Sequence, residues 1–250
     1  MKRILAVASG KGGVGKTWFS ISLSHAFARM KKRVLLVDCD IGLANIDVQL
    51  GLAKGPDLAM VALGRASASK AIKPVERYGF DVFPGRSAHG RPAGLDAFIV
   101  SWLCKTLDDL QDDYDITVLD LPSGIEQGVR DMMRYASQEI VMTTGEPTAL
   151  ADAYALIKAT RNERLEGIPG IVVNFAQQAS SGQQTMDGLI RVCDRFLAIA
   201  PTDFGVIRQD KSVPESIGRQ TSLLACHPNS DAAQDVTGVA KVIINSIARP

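Results

Sequence analysis

The residues of this chain best suited to chemistry begin with Gly10-Lys11-Gly12-Gly13-Val14-Gly15-Lys16-Thr17. The octet matches G-x-x-x-x-G-K-[ST], the pattern of a phosphate-binding loop, and the apolar run Ile4-Leu5-Ala6-Val7-Ala8 supplies the strand that must enter it. Glycines let successive backbone N–H groups turn inward around an anion without a side chain blocking its approach. Lys16 adds a point charge for the outer phosphates, and Thr17 offers a hydroxyl to Mg²⁺. A helix expected from Trp18 to Met30 would aim its positive N-terminal dipole at the same anion. The second lysine, Lys11, stands at the outer edge of the loop, within reach of phosphates bound by another subunit. Three aspartates complete the set: Asp38 and Asp40 close one apolar run, and Asp120 closes another. Phosphoryl transfer from a Mg-nucleotide needs carboxylates at strand ends, one for the metal's water shell and one to place the attacking water. Each could instead cap a turn or helix; the loop beside them favours the chemical reading.

The elements that must position these groups follow from short apolar runs alternating with longer helical patterns, the pattern of a parallel sheet with crossover helices. Val34–Val37, Ile116–Leu119, Ile140–Met142, Ile171–Val173 and Phe196–Ile199 read as strands, the last ending before Pro201. Continuous apolar strands imply burial on both faces. Leu95, Phe98, Ile99, Trp102, Leu103, Thr106, Leu107 and Leu110 recur at helical spacing, a core stripe. Pro84 to Pro92 reads as a loop, a surface connection or a partner-facing segment. The expected fold is α/β: a doubly wound, mostly parallel sheet flanked by helices in three layers, as one domain over residues 1–250.

Composition narrows the function classes. A formal net charge of +1 gives no electrostatic case for nucleic-acid binding. Lys31-Lys32-Arg33 reads as a solvated helix end that suits the C-terminal dipole. Cys39, Cys104, Cys193 and Cys226 form no C-x-x-C pair, which points to reduced thiols in the cytosol rather than disulfides or zinc. His25, His89 and His227 lack ligand spacing. The first strand begins almost at once, leaving no room for a signal peptide, and no apolar run approaches the roughly 20 residues of a membrane span. A cytoplasmic protein is expected, with any recruitment to a cell pole or inner membrane surface going through a partner.

Together these residues resemble the MinD/ParA family of deviant-P-loop ATPases, whose loop reads K-G-G-x-G-K-[ST]. The likeness spans nearly the whole chain. It takes in Asp38-Cys39-Asp40-Ile41-Gly42-Leu43-Ala44-Asn45-Ile46-Asp47, Leu50-Gly51-Leu52, Asp120 to Glu126, Glu146-Pro147-Thr148-Ala149-Leu150-Ala151-Asp152-Ala153-Tyr154, Asn174 and Pro201-Thr202-Asp203. The G-L-A-N-x-D and E-P-T-x-x-x-D-A-Y segments look most like the FlhG/FleN branch, which controls flagellar number and placement. The resemblance implies an ATPase using ATP/ADP and Mg²⁺, forming a homodimer on ATP binding and answering to a protein activator or polar landmark. It implies that Lys11 reaches across an ATP sandwich dimer and that Lys16 and Thr17 grip the β/γ-phosphates and Mg²⁺. Asp40 would orient the hydrolytic water, Asp38 would support the metal region and Asp120 would be the Walker B acid. Gly10 to Trp18 would contact the nucleotide, Asn174 and Pro201-Thr202-Asp203 would border the adenine, and Asp152 would lie on the partner and dimer surface. Residues 40–47 resemble switch I, and residues 120–126 resemble switch II.

Departures from the family pattern are Trp18 after the loop threonine, Leu121-Pro122-Ser123 in switch II, and Gly145 where the flagellar branch has proline. The activating N-terminal extension expected of that branch is not seen before Met1. Val236, Val239, Ala240, Ile243 and Ile247 make an apolar stripe expected to pack on the core rather than enter a membrane, so membrane association is expected to be weak or absent. A partitioning ATPase would need a basic surface. A metal-inserting relative would need paired cysteines, and a tyrosine autokinase a C-terminal tyrosine cluster; neither is present in the sequence.

Overall fold

The computed structural model describes residues 3–42, 44–85, 95–162 and 167–247. Its strands are β1 (Ile4–Ser9), β2 (Val34–Asp38), β3 (Lys73–Val75), β4 (Phe80–Phe83), β5 (Ile116–Ser123), β6 (Gln138–Thr144), β7 (Gly170–Ala176) and β8 (Thr202–Arg208). The first seven helices are α1 (Lys16–Arg29), α2 (Ile46–Leu50), α3 (Leu58–Ala62), α4 (Ala68–Ala71), α5 (Ala97–Asp109), α6 (Gln127–Tyr135) and α7 (Pro147–Asn162). Four more follow: α8 (Ala179–Leu197), α9 (Ser212–Gly218), α10 (Leu223–Cys226) and α11 (Asp231–Ile247).

The strands form one eight-stranded sheet in the order β3-β4-β2-β5-β1-β6-β7-β8, parallel at every contact except β3–β4. Helices cover both faces, as the doubly wound expectation requires. On one side α1, α2 and α11 pack around Phe19, Phe27, Ile46, Val236 and Ile243; on the other α5 to α8 enclose Leu103, Met132, Leu156 and Met186. Because β1 lies between β5 and β6, the chain reverses its winding direction beside β1, and ligands bind at such a point above the C-terminal strand ends.

The C-terminal stripe packs inward, with Val236, Val239, Ala240 and Ile243 buried. In the Leu95–Leu110 stripe Leu103 and Leu107 are buried, while Phe98 stays 59% exposed. No described helix is long and apolar enough to cross a membrane. The strand expected at Phe196–Ile199 is not one. Phe196 and Leu197 end α8, Ala198 caps it in the left-handed region at φ 53°, and the strand that follows begins only at Thr202. Two strands at one margin of the sheet, the edge strand β3 and its inner neighbour β4, are absent from the sequence expectation. The first is three residues long and contains Pro74, which an edge strand tolerates. Of the loop read at 84–92, positions 86–92 lie outside the described residues.

Candidate functional site

β1 ends at Ser9, and the glycine loop turns over its end into α1. Gly15, the residue that opens α1, sits at φ 94°, a backbone state that side chains disfavour. It also has a neighbour that leaves no room: a Cβ there would stand 2.4 Å from the Asn174 amide nitrogen. That amide donates to the Val14 carbonyl at 2.8 Å, so the end of β7 pins the loop. At Gly10 a Cβ would meet the Asp152 carbonyl at 2.2 Å, which seats the loop against α7. Inside the loop Lys16 is buried and its Nζ donates to Ser9 Oγ at 3.0 Å, while Ser9 Oγ donates to the Lys11 carbonyl at 2.7 Å. Burial lowers the Lys16 pKa, and the charges of Asp120 and Asp40 oppose that shift.

Asp38 and Asp120 are register partners on β2 and β5, each 1% exposed. Asp120 Oδ1 accepts from Ser20 Oγ at 3.0 Å, and against burial the neighbouring Thr17 side chain holds the Asp120 pKa down. Asp38 turns the other way: Oδ2 accepts from the Asn45 and Ile46 amides at 3.1 Å each, and Oδ1 accepts from the Asp40 amide at 3.2 Å. Burial raises the pKa of both aspartates, and the Asp120 charge raises Asp38 further. Asp40 is less enclosed; burial raises its pKa and Lys16 lowers it.

Two buried carboxylates side by side, with Lys16 as the cation acting on Asp120, leave negative charge to be neutralised. Hard oxygen ligands beside a threonine hydroxyl fit Mg²⁺, so Thr17, Asp38 and Asp120 are residues that could hold the metal region. A pH dependence follows. Carboxyls whose folded pKa lies above the unfolded value stabilise the fold at low pH, and that contribution is lost as pH rises from about 4 through the folded pKa. Without metal, Asp38→Asn should therefore melt with a flatter dependence on rising pH than the parent. For the parent, Mg²⁺ should raise the melting temperature more at pH ~8 than at pH ~5, because bound metal favours the charged carboxylates. Thermal scans across that range, with and without Mg²⁺, check both.

Lys11 does not point into its own loop. Its Nζ donates to Glu146 Oε2 at 2.6 Å and to Thr148 Oγ1 at 2.9 Å, at the entrance to α7. Both ionic partners are solvent-exposed, at 36% and 66%, and such pairs are worth about 0–1 kcal/mol. The lysine is parked on a weak hold.

Two sequence expectations need correction. Trp18 contributes no side chain to the site: its ring is 5% exposed within the core around α1, and only its backbone lies in the first helical turn. Pro201, Thr202 and Asp203 lie at the wrong end of the sheet. Thr202 pairs with Gly170 at the start of β7, whereas Asn174 pairs with Thr144 four residues further on, about 13 Å away at strand rise. The misplaced strand caused this error: a strand ending before Pro201 would put the turn at the ligand end, but β8 starts there. The residues at the ligand end of β8 are Arg208, Gln209 and Asp210, with Gln209 N donating to the Ala176 carbonyl at 2.8 Å. Their signal was the run Phe204-Gly205-Val206-Ile207, interrupted by its glycine. Arg208 is itself engaged, through Nη2 with Asp235 Oδ1 at 2.7 Å and through Nη1 with Asp231 Oδ1 at 2.9 Å. Sequence reasoning also passed over Phe175, a 43% exposed ring at φ 56°, whose tip would be 3.5 Å from a Cβ on Gly15.

Comparison with known proteins agrees with this geometry. The CobQ/CobB/MinD/ParA nucleotide binding domain matches residues 5–223. The antiactivator FleN of Pseudomonas aeruginosa is 33% identical over 241 residues, covering 96% of this chain and 86% of FleN. The septum site-determining protein MinD of Bacillus subtilis is 36% identical over 253 residues, covering 100% of this chain and 88% of that protein. The crystal structure of the cell division ATPase MinD of Pyrococcus furiosus superimposes with a TM-score of 0.82 at 22% identity, covering 98% of this chain and 100% of the other. With its glycine loop, paired acids and doubly wound sheet on one site, the chain belongs to the CobQ/CobB/MinD/ParA family of nucleotide-binding domains.

Proposed function

We propose that this chain, as one domain over residues 1–250, is an ATP-hydrolysing switch that dimerises on ATP and sets the number or placement of polar flagella. The observation that carries the switch reading is Lys11 held by Glu146 and Thr148 outside its own phosphate loop. A cation needed only for the nucleotide of its own subunit would have no reason to rest there; a cation destined for a facing subunit would.

The steps follow from the chain's own groups. The loop amides and Lys16 bind the phosphates. Thr17, with the Asp120 and Asp38 carboxylates beside it, would hold Mg²⁺. Mg²⁺ held there would supply charge neutralisation for the phosphates. Asp40, half-buried beside Lys16, would accept a hydrogen bond from the attacking water and so orient it. Lys11 leaves Glu146 and closes on the partner's phosphates. Arg208 to Asp210 and Phe175, with Asn174, border the base. Hydrolysis then frees residues 40–47 and 120–126, which carry the two acids at their heads.

The flagellar reading rests on the FleN relationship, with a protein activator or polar landmark as the class of partner. The equally extensive match to a septum site-determining protein supports a second reading, division-site placement. Deleting the gene and restoring it with wild type or Asp40→Ala separates the two. Altered flagellar counts with normal division are expected; minicells with unchanged flagella would overturn the flagellar reading in favour of the second.

A further inference from the structure

α2 is five residues long and is held at both ends by side chains from elsewhere. At its start, Asp38 Oδ2 accepts from the Asn45 and Ile46 amides. At its end, Gln220 Nε2 donates to the Val48 carbonyl at 2.9 Å, and Arg77 Nη2 donates to the Leu50 carbonyl at 2.7 Å. Arg77 also donates to the Gln220 carbonyl at 3.2 Å, and its guanidinium lies 4.7 Å from the centre of the Tyr78 ring. The Tyr78 hydroxyl accepts from Ser222 N at 3.0 Å, and Ser222 Oγ lies 2.7 Å from His25 Nδ1 on α1. The last carbonyls of a helix run short of partners within it; here the Val48 carbonyl accepts from Gly51 N at 3.3 Å and from Gln220, and the Leu50 carbonyl accepts from Arg77. Gln220 takes this place at φ 51°, a conformation that costs a non-glycine residue energy. Gly51, the left-handed cap of α2, leaves its Cβ position open beside the same side chain; a Cβ there would come within 3.0 Å of Gln220 Oε1.

A five-residue helix has too few internal hydrogen bonds to hold its own register. Ile46 and Leu50 seat α2 on the core; the contacts at its two ends then set where the Asn45 and Ile46 amides point, and those amides orient the Asp38 carboxylate. We infer that Gln220 and Arg77 are positioning residues for the metal-side carboxylate Asp38, acting through α2. The inference rests on the Mg-nucleotide reading of the site and deepens it. Groups that orient a metal-side ligand from behind are worth about 10–100-fold in metal affinity. Loosening the far end of α2 lets the Asn45 and Ile46 amides drift, and Asp38 no longer faces the metal region in one orientation.

The backbone strain at Gln220 separates this role from a merely structural one. Gln220→Gly removes the strained conformation together with the side-chain donor, so the fold should melt at the same temperature or higher. Gln220→Asn accepts the left-handed backbone but cannot reach Val48. Gln220→Lys restores a donor of similar reach, and Lys31 already adopts φ 63° in this chain. Two readouts decide. The first is hydrogen exchange at the Asn45 and Ile46 amides without metal or nucleotide. The second is a Mg²⁺ titration of the ADP-loaded protein, followed by isothermal titration calorimetry. Gln220→Gly, Gln220→Asn and Arg77→Ala should speed exchange at both amides and raise the half-saturating Mg²⁺ concentration about tenfold. ADP binding without metal should stay within about twofold of wild type, and Gln220→Lys should return both readouts toward wild type. Unchanged exchange at Asn45 and Ile46 would overturn the inference, whatever the metal titration shows. So would faster exchange with an unchanged Mg²⁺ midpoint. A wild-type protein that binds neither ADP nor Mg²⁺ would instead overturn the Mg-nucleotide reading, with the exchange result still deciding whether Gln220 and Arg77 hold α2.

Discussion

An Asp40→Ala variant is expected to bind ATP at least as tightly as wild type and to hydrolyse it about 10²–10⁴-fold more slowly, the range for loss of a positioned acid–base group. The reason for retained binding is electrostatic. Asp40 is close enough to Lys16 to shift its pKa, so removing that carboxylate deletes a negative charge that opposes the triphosphate. The phosphates keep the loop amides, Lys16 and Thr17. Loss of hydrolysis with binding intact should trap the ATP-bound dimer, seen as a doubled mass by light scattering in ATP but not in ADP. Single-turnover hydrolysis near the wild-type rate would remove Asp40 from the water-positioning role. A monomer in ATP would break the link between nucleotide and dimer.

How much of this was legible in the residues differs between the two halves of the sheet. The glycine loop, the strand before it and the three aspartates could be placed because each sits beside a long apolar run whose direction is plain. β1, β2 and β5 are buried along most of their length, and burial on both faces leaves long apolar runs broken only by Thr117 before Ser9, Asp38 and Asp120. β8 is different. Thr202 and Asp203 at its entry are exposed, Gly205 interrupts it at φ 132°, and the apolar end of α8 looked like the strand instead. One slipped element carried the residues expected to border the adenine to the opposite end of the sheet. The same limit applies to Trp18. Its place after Thr17 suggested a ligand contact, but a helix rotates each successive side chain by about 100°, and that turn carries the indole from the loop into the core. The Glu146–Lys11 pair, the Asn174 strut and the Gln220 contact join residues far apart in the chain, and no local pattern announces such pairings. Asn174 was singled out by resemblance; that it pins the loop from beneath is visible only in the fold.

Lys11→Ala should bind Mg-ATP with near-normal affinity, because the Lys11 side chain rests on Glu146 and Thr148, and the one Lys11 contact inside the loop, its carbonyl accepting from Ser9 Oγ, is backbone and survives the substitution. Its turnover should fall by on the order of 10³-fold, the scale on which a cation supplied across an interface acts in phosphoryl transfer. Lysine lacks the bidentate fork of arginine, so the lower end of the arginine-finger range applies. Dimerisation in ATP should be lost as well. The partner's triphosphate would then face the interface without its counter-charge, and burying unpaired charge is unfavourable. An equimolar mixture with Asp40→Ala provides the sharper measurement. In a mixed dimer, the site on the Lys11→Ala subunit keeps its own Asp40 and receives Lys11 from the other chain, so it holds both groups. The other site lacks both. Each mixed dimer should therefore regain about half the wild-type rate, although neither variant turns over alone. Recovery can occur only if the lysine acts across the interface; a cis role predicts a mixture as inactive as its components. Near-wild-type dimerisation and turnover by Lys11→Ala on its own would reduce the Glu146 contact to a surface ion pair.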